Sequence, residues 1–228
     1  MDRFIKKRML LDISSEKVYN ISDERGDCMR EKYQKEIQEK IDNFDDGYVF
    51  SAIDFVEIAG TDPTNKALSR LNELGVIRRI MQGVYYKPVY SKLLDEYSSP
   101  DISKLAEALA RKFNWTIAPA GETALNYLHM STQVPNSWCY ISDGPYRKYE
   151  IELHEIEFKH CANKEISGRS YLTISIIQAI KYIGKGKIQK EDIERLASNL
   201  SDGDKSKILE EAKTTTSWIY QTIKEVCA

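Results

Sequence analysis

The sequence lacks any apolar run close to the roughly 20 residues that a membrane-spanning helix needs. We also expect no secretory signal, because the N-terminal stretch MDRFIKKRMLLDISSEK has only a short apolar run and no small-residue cleavage site. Cysteine is scarce, and its wide spacing without C-x-x-C argues against a disulfide framework or a structural zinc site. We therefore expect a cytoplasmic protein with reduced thiols at Cys28, Cys139, Cys161 and Cys227.

Known catalytic motifs are missing as well. No Walker loop, Rossmann glycine fingerprint, HExxH or GxSxG occurs. His154 and His160 lie near Cys161, but their spacing matches no common metal site, and the pattern places the two histidines on opposite arms of a hairpin. We therefore expect no enzyme, no metal and no cofactor. The net charge of −2 indicates a protein that does not coat nucleic acid indiscriminately.

The most informative stretch is residues 47–88, whose pattern predicts a winged helix-turn-helix. Ser51 and Asp54 form a capping-box pattern at the start of a short helix. Val56 is expected on the apolar side of that helix, and Gly60 is expected to end it in a left-handed conformation. An amphipathic helix precedes this stretch from Arg30 onward, and its apolar positions are Tyr33, Ile37, Ile41 and Phe44.

A second helix follows, with Asp62 as the predicted N-cap and Pro63 in the first turn. Its expected buried stripe consists of Ala67, Leu68, Leu71 and Leu74, and Gly75 closes it. Residues 76–80 and 84–86 then predict two strands joined by a turn at 81–83. Between Thr64 and Lys87 there are five basic residues and one acidic residue, which indicates a nucleic-acid surface. A purely structural or protein-binding module stays open, because fold does not fix function.

The whole sequence indicates an α+β protein with three regions. Residues 1–28 match no regular period, and we expect a poorly ordered extension. Either this extension is a genuine flexible arm, or the run Glu24 to Cys28 encodes a ribosome-binding site and Met29 is the true start. We expect residues 29–97 to form the winged domain and its linker. The linker-like stretch itself covers residues 89–100, across that boundary, and carries at most a short helical turn. We expect residues 98–228 to form a C-terminal α+β domain with a small antiparallel sheet, including a hairpin at 147–160, and several helices, among them residues 171–183 and 217–227.

Several short motifs resemble the AbiEi-type antitoxins of bacterial type IV toxin–antitoxin systems. They occur in one order over residues 29–188: GYVF, ALSRLNELGVIRRIMQGVYYKP, AGETALNYLHMSTQVP, YISDGPYR and FKHCA. The resemblance implies a phage-defence (abortive infection) antitoxin that is also a sequence-specific DNA-binding autorepressor of its own promoter. It implies inverted repeats in that DNA, and a nucleotidyltransferase-like toxin encoded next door that forms no stable complex with the antitoxin. We expect a monomer or weak dimer that binds DNA cooperatively.

The site residues follow from the pattern and the resemblance together. DNA reading is assigned to Asn65, Lys66, Ser69, Arg70, Arg78, Arg79 and Gln82. A candidate second basic face comprises Arg147, Lys148 and Lys159. Family-motif positions, for which backbone geometry is the favoured role, are Gly121, Thr132, Gln133, Pro135, Asp143, Gly144 and Pro145.

Two rival functions remain open. The first is a transcription factor with a partner- or ligand-sensing C-terminal domain and no toxin. The neighbouring gene discriminates between this rival and the antitoxin. The second is a degenerate nucleotidyltransferase-like enzyme, which would need a carboxylate pair that includes Asp143 to hold a metal ion.

Overall fold

The computed structural model of the chain describes residues 32–93, 95–151 and 154–228. The chain divides into two compact units between Pro100 and Asp101. The predictions for residues 1–28 and for a start at Met29 lie outside the described residues.

Among its described residues, the first unit contains three helical segments, a three-stranded antiparallel sheet and a further two-stranded hairpin. Helix α1 covers residues 32–42. Strand β1 (Val49–Ser51) leads into a 3-10 helix (Ala52–Phe55), and helix α2 covers Thr61–Glu73. Strands β2 (Arg78–Met81) and β3 (Val84–Tyr86) form a hairpin, and the strand order in the sheet is β1-β3-β2.

One core joins these elements. Apolar side chains from both helices, the 3-10 helix and the strands bury one another, so that the periodicity of each element decides which face turns inward. Phe50 and Phe55 pack edge to face with their ring centroids 5.6 Å apart. The buried residues of this core include Ile37, Ile41, Phe50, Phe55, Leu68, Leu71 and Ile77.

Four details of the sequence interpretation were wrong. Helix α2 begins at Thr61 with Gly60 as its N-cap at φ −60°, so Gly60 is not left-handed and Asp62 lies inside the first turn. Val56 is 53% exposed, because the preceding residues form a 3-10 helix to which the 3.6-residue period does not apply. Leu74 is 69% exposed, because α2 ends at Glu73 and Leu74 lies past the regular helix.

Residues 89–100 also differ from the predicted linker. Strands β4 (Tyr90–Ser91) and β5 (Glu96–Tyr97) form a second, antiparallel hairpin in place of a helical turn. Asp95 adopts φ +56°, which turns the chain back into β5. Strands of two residues are too short for a period-2 pattern to reveal.

The second unit contains a four-stranded mixed sheet. Helix α3 (Ile102–Phe113) precedes strand β6 (Ile117–Pro119), helix α4 (Glu122–Tyr127) and strand β7 (Ser137–Ser142). The predicted antiparallel hairpin is present as β8 (Arg147–Ile151) and β9 (His154–His160). The strand order is β6-β7-β9-β8. Strands β7 and β9 run parallel, so the sheet is mixed and the prediction of an antiparallel sheet was wrong for this pair of strands. His154 begins β9 and His160 ends it, so the two histidines lie on the same strand, whereas the sequence interpretation placed them on opposite arms of the hairpin.

The end of the chain is helical. The helices are α5 (Asn163–Ile166), α6 (Tyr171–Ile183), α7 (Lys190–Ser198), α8 (Asp202–Glu211) and α9 (Ser217–Cys227). Helix α6 is central, because it packs on the sheet through Ile174 and on the other helices through Ile176 and Ile180. The chain is therefore of mixed α+β class. None of the helices in the described residues has the length and apolarity to cross a bilayer.

Glu211 fastens the end of α8 to the start of α6. Its Oε2 accepts hydrogen bonds from the backbone N–H of Ser170 at 2.7 Å and from the Ser170 hydroxyl at 2.8 Å. Burial raises the pKa of this carboxyl, but hydrogen bonds from Thr173 and Ser170 outweigh burial and hold the pKa below its usual value. The ionised form of Glu211 therefore stabilises the second unit.

We expect Glu211→Gln to lower the free energy of unfolding at pH 7 by about 1 kcal/mol, because a charged acceptor of two hydrogen bonds is lost. Since the folded pKa is depressed, this contribution is complete above the unfolded pKa of about 4.3 and disappears as the pH falls through the folded pKa. The difference from the unsubstituted chain should therefore shrink below about pH 4. Urea unfolding followed by tryptophan fluorescence measures it, since Trp115, Trp138 and Trp218 all lie in the second unit.

Glu210→Gln is the matched control. Glu210 is the next residue, is 72% exposed and pairs only with Lys213 among the described ion pairs, so that its replacement should change little. Equal losses in the two variants, or a Glu211→Gln loss that persists at acidic pH, would contradict the assigned role.

Candidate nucleic-acid interface

The outward face of α2 carries the four helical residues that the sequence predicted for DNA reading. Asn65, Lys66 and Arg70 are exposed, and Ser69 is half-buried. The opposite side of the helix faces the core, because the apolar positions recur at helical spacing. The buried residues of α2 are Thr64, Ala67, Leu68 and Leu71.

The β2–β3 hairpin presents the remaining predicted residues. Arg78 and Arg79 are exposed at the start of β2, and Gln82 is exposed in the turn. The register shifts between Arg79 and Met81, and the Nε of Arg79 donates to the Met81 carbonyl at 3.3 Å. This bulge strengthens the local twist of the hairpin and re-aims its side chains. We call Asn65, Lys66, Ser69, Arg70, Arg78, Arg79 and Gln82 the α2–β2 face.

One of the five basic residues in this stretch has a structural task. The Nζ of Lys87 lies 2.9 Å from the carbonyl of Asp42 and 2.7 Å from that of Phe44, and 3.8 Å from the carboxylate of Asp46. A lysine at the end of a helix satisfies carbonyls that have no intrahelical partner. Lys87 therefore closes α1 and does not belong to the α2–β2 face.

The charge on the α2–β2 face is unevenly distributed. On α2, Lys66 and Arg70 are offset by the exposed carboxylates Asp62 and Glu73. Glu73 also accepts a hydrogen bond from the Ser69 hydroxyl at 3.5 Å. The excess positive charge therefore comes from the two arginines of β2.

A groove of about 470 Å³ runs beside the basic residues of α2. It lies between α1 and α2, and it is bounded by Tyr33, Gln34, Asp62, Pro63, Lys66, Ala67 and Arg70. Lys66 and Arg70 stand at its edge. Their long side chains therefore have room to adjust to a phosphate backbone.

The predicted second basic face carries no excess of positive charge. Lys148 lies 3.2 Å from Glu155 and 3.8 Å from Glu157, and Lys159 lies 3.2 Å from Glu157. Hydrogen bonding from Tyr146, at 2.6 Å, holds the pKa of Glu157 below its usual value. Lys148 lies directly opposite Glu157 in the β8–β9 ladder, so the two side chains share a face. Lys159 lies two residues after Glu157 on β9 and therefore points to the same face of that strand.

Arg147 has a different environment. Its guanidinium carbon lies 5.3 Å from the Phe113 ring centroid and 5.9 Å from that of Trp115. The planar guanidinium covers two aromatic rings at the end of α3, which is a packing role.

The turn after β7 explains two of the family-motif positions. Asp143 accepts a hydrogen bond from the Thr116 N–H at 2.8 Å through its Oδ1. A Cβ atom on Gly144 would lie 2.4 Å from the Trp115 ring, so only glycine fits there. The Gly144 carbonyl is 2.9 Å from the Nδ1 of His160. These residues hold the turn against the sheet.

The other family-motif positions are spread over two segments. Gly121 has φ +59° at the start of α4, a conformation that L side chains rarely adopt. Pro135 is buried, whereas Thr132 and Gln133 are exposed in the loop after α4. The Asn126 amide donates to the Gln133 carbonyl at 3.1 Å. Pro145 is exposed beside Gly144.

His154, His160 and Cys161 lie close together in the sequence and carry groups that can bind a metal ion. Within residues 32–93, 95–151 and 154–228, no three His, Cys, Asp or Glu side chains are grouped so as to hold a metal ion. The Nδ1 of His160 instead faces the Gly144 carbonyl.

Comparison with known proteins places most of the chain in one family. The model of a family of unknown function, DUF6088, matches residues 36–208, and the chain belongs to this family. The match includes the whole α2–β2 face and continues into α8. No curated protein is significantly similar to the chain.

Proposed function

We propose that the first unit is a winged helix-turn-helix that binds double-stranded DNA. Its element order supports this proposal: α1, β1, a short helical segment, α2, and the β2–β3 hairpin. In this interpretation α2 is the recognition helix in the major groove, and the hairpin is the wing beside it. The observation that carries the proposal is the exposure of polar residues on α2 and of two arginines on β2, in an otherwise slightly acidic chain.

The charge distribution assigns different tasks to the two elements. Arg78 and Arg79 provide most of the attraction to phosphates, because the cations of α2 are offset by its own carboxylates. Asn65 and Ser69 are short and polar, and asparagine pairs well with adenine at a base edge. Affinity therefore depends mainly on the hairpin, and sequence preference mainly on α2.

We further propose that the chain is an autorepressor and the antitoxin of a type IV toxin–antitoxin pair. The ordered motifs that resemble AbiEi-type antitoxins support this part, and they extend from the first unit into the second. The partners are promoter DNA with inverted repeats and an adjacent nucleotidyltransferase-like toxin. Two copies on one inverted repeat double the contacts, which compensates for the few cations that each copy contributes.

Fluorescence anisotropy with the full chain tests the DNA-binding part. A labelled duplex from upstream of the gene should bind more tightly than a scrambled duplex of equal composition. The logarithm of the binding constant should fall with the logarithm of salt concentration by about 0.9 for each phosphate contacted. Equal affinity for the two duplexes across the salt range would contradict sequence-specific repression.

Co-expression with the adjacent gene tests the antitoxin part. The full chain should restore growth when the neighbour is toxic. A full-length variant with Arg78 and Arg79 replaced by alanine should also restore growth, because we assign toxin neutralisation to the second unit, as the resemblance to AbiEi-type antitoxins implies. A neighbour without toxicity would favour the transcription-factor alternative, and loss of rescue in this variant would show that neutralisation needs the α2–β2 face.

A further inference from the structure

The β4–β5 hairpin contacts one residue of the α2–β2 face. The guanidinium carbon of Arg78 lies 3.9 Å from the centroid of the Tyr97 ring. The other cation–aromatic separations among the described residues range from 4.7 to 5.9 Å. The Arg78 guanidinium is thus within stacking distance of the ring, whereas the others are more distant.

The Tyr97 ring is held in place by its own hairpin. It packs edge to face against Tyr90, with ring centroids 5.2 Å apart. The N–H of Ser98 donates to the Val89 carbonyl at 2.8 Å, which closes the base of the hairpin. The Tyr86 hydroxyl donates to the Ser98 carbonyl at 3.3 Å. The ring is therefore tied to β3, the strand that pairs with the strand carrying Arg78.

We propose that Tyr97 is a positioning residue that orders the Arg78 guanidinium for DNA contact. This inference rests on the proposed DNA-binding function. An arginine loses side-chain freedom when it binds, and a guanidinium that is already stacked loses less. Stacking on an aromatic face leaves the N–H edges of the guanidinium free to reach two oxygens of a phosphate or the O6 and N7 of guanine.

The β4–β5 hairpin therefore contributes to the DNA interface by supporting Arg78, and the Tyr97 side chain itself does not have to touch DNA. Tyr97 is 40% exposed and lies outside the core of the unit, so its replacement leaves the packing of α1, α2 and the sheet intact. The proposal therefore predicts an effect on DNA affinity without a matching loss of stability.

The experiment measures affinity of the full chain for the upstream duplex in a double-mutant cycle. Tyr97→Leu removes the aromatic face at similar size, and Tyr97→Phe keeps the face but removes the hydroxyl. We expect Tyr97→Leu to weaken binding about fivefold, within the range of exposed to desolvated cation–π contacts. Tyr97→Phe should bind like the unsubstituted chain. In a chain that already carries Arg78→Ala, Tyr97→Leu should have no further effect.

Each other outcome overturns the inference. If Tyr97→Leu binds normally, the stacking has no consequence for binding. If Tyr97→Phe loses as much as Tyr97→Leu, or if Tyr97→Leu weakens the Arg78→Ala chain equally, Tyr97 acts by another route. The NMR shift of the Arg78 Nε–H, displaced by the ring current in the free protein, verifies the stacking separately. If the unsubstituted chain does not bind the duplex, the proposed function is wrong, and the inference fails with it.

Discussion

Replacing Arg78 and Arg79 together with alanine is expected to weaken binding of the upstream duplex about 30- to 100-fold. Each arginine contact contributes about 1–3 kcal/mol of binding free energy. Losing two such contacts accounts for the expected weakening, because the remaining cations recover part of the lost binding free energy. The salt slope should become shallower by about 1.8, since each phosphate contact contributes about 0.9. The fold should persist, because both side chains are exposed. Anisotropy titrations at several salt concentrations measure both quantities.

A charge-matched control separates this contact from a general loss of positive charge. Lys185 and Lys187 are exposed in the second unit, and replacing both with alanine changes the net charge by the same amount. The control should bind with nearly unchanged affinity and salt slope. If the control and the arginine variant lose affinity equally, the α2–β2 face is not the binding surface.

Gly144→Ala is expected to destabilise the second unit by about 3 kcal/mol, at the upper end of the usual cost of inserting a methyl group into packed structure. The new Cβ would lie 2.4 Å from the Trp115 ring. That ring has little room to retreat, because it stacks on Phe113 at 4.8 Å and meets the edge of Phe158 at 5.6 Å. Urea unfolding followed by tryptophan fluorescence measures the loss and should also show a shift in Trp115 emission.

Gly203→Ala provides the matched control. Gly203 lies in the first turn of α8, and a Cβ there would come no nearer than 3.8 Å to the Ser201 hydroxyl. Alanine is the better helix former, so that this variant should be as stable as the unsubstituted chain or slightly more stable. If Gly144→Ala unfolds at the same urea concentration as Gly203→Ala, the close packing of Gly144 on Trp115 is not a constraint.

Sequence periodicity predicted the regular secondary-structure elements well. The bounds of α6 and α9 coincide with the predicted residues 171–183 and 217–227. These helices have strong apolar periodicity and clear end signals, so local and tertiary preferences agree. The α2–β2 face was also predicted, because the buried stripe of α2 determines which residues point outward.

Contacts between residues that are far apart in the sequence could not be predicted from the local pattern. The parallel pairing of β7 with β9 depends on residues about 20 positions apart and has no local signature. The pairing of Lys148 with Glu155 and Glu157 depends on strand register, which a charge count does not contain. Lys87 was counted with the DNA-facing cations, although its amine closes α1.

Tyr97 was missed for a related reason. Its stretch was interpreted as a linker, since the paired strands at Tyr90 and Tyr97 are two residues long. Two tyrosines on either side of the short segment SKLLDE were the available signal. The contact with Arg78 is visible only when β5 and β2 are placed in space.

The most direct test of the account is photo-crosslinking of the full chain to the upstream duplex. A photoreactive amino acid is placed at Ser69, at Gln82 or, as a control, at Ser206 on the exposed surface of α8. The account predicts crosslinks to DNA from positions 69 and 82, reduced by excess unlabelled operator, and none above background from position 206. Crosslinking from position 206 alone, or equally from all three positions, would contradict the claim that α2 and the β2–β3 hairpin contact the double helix.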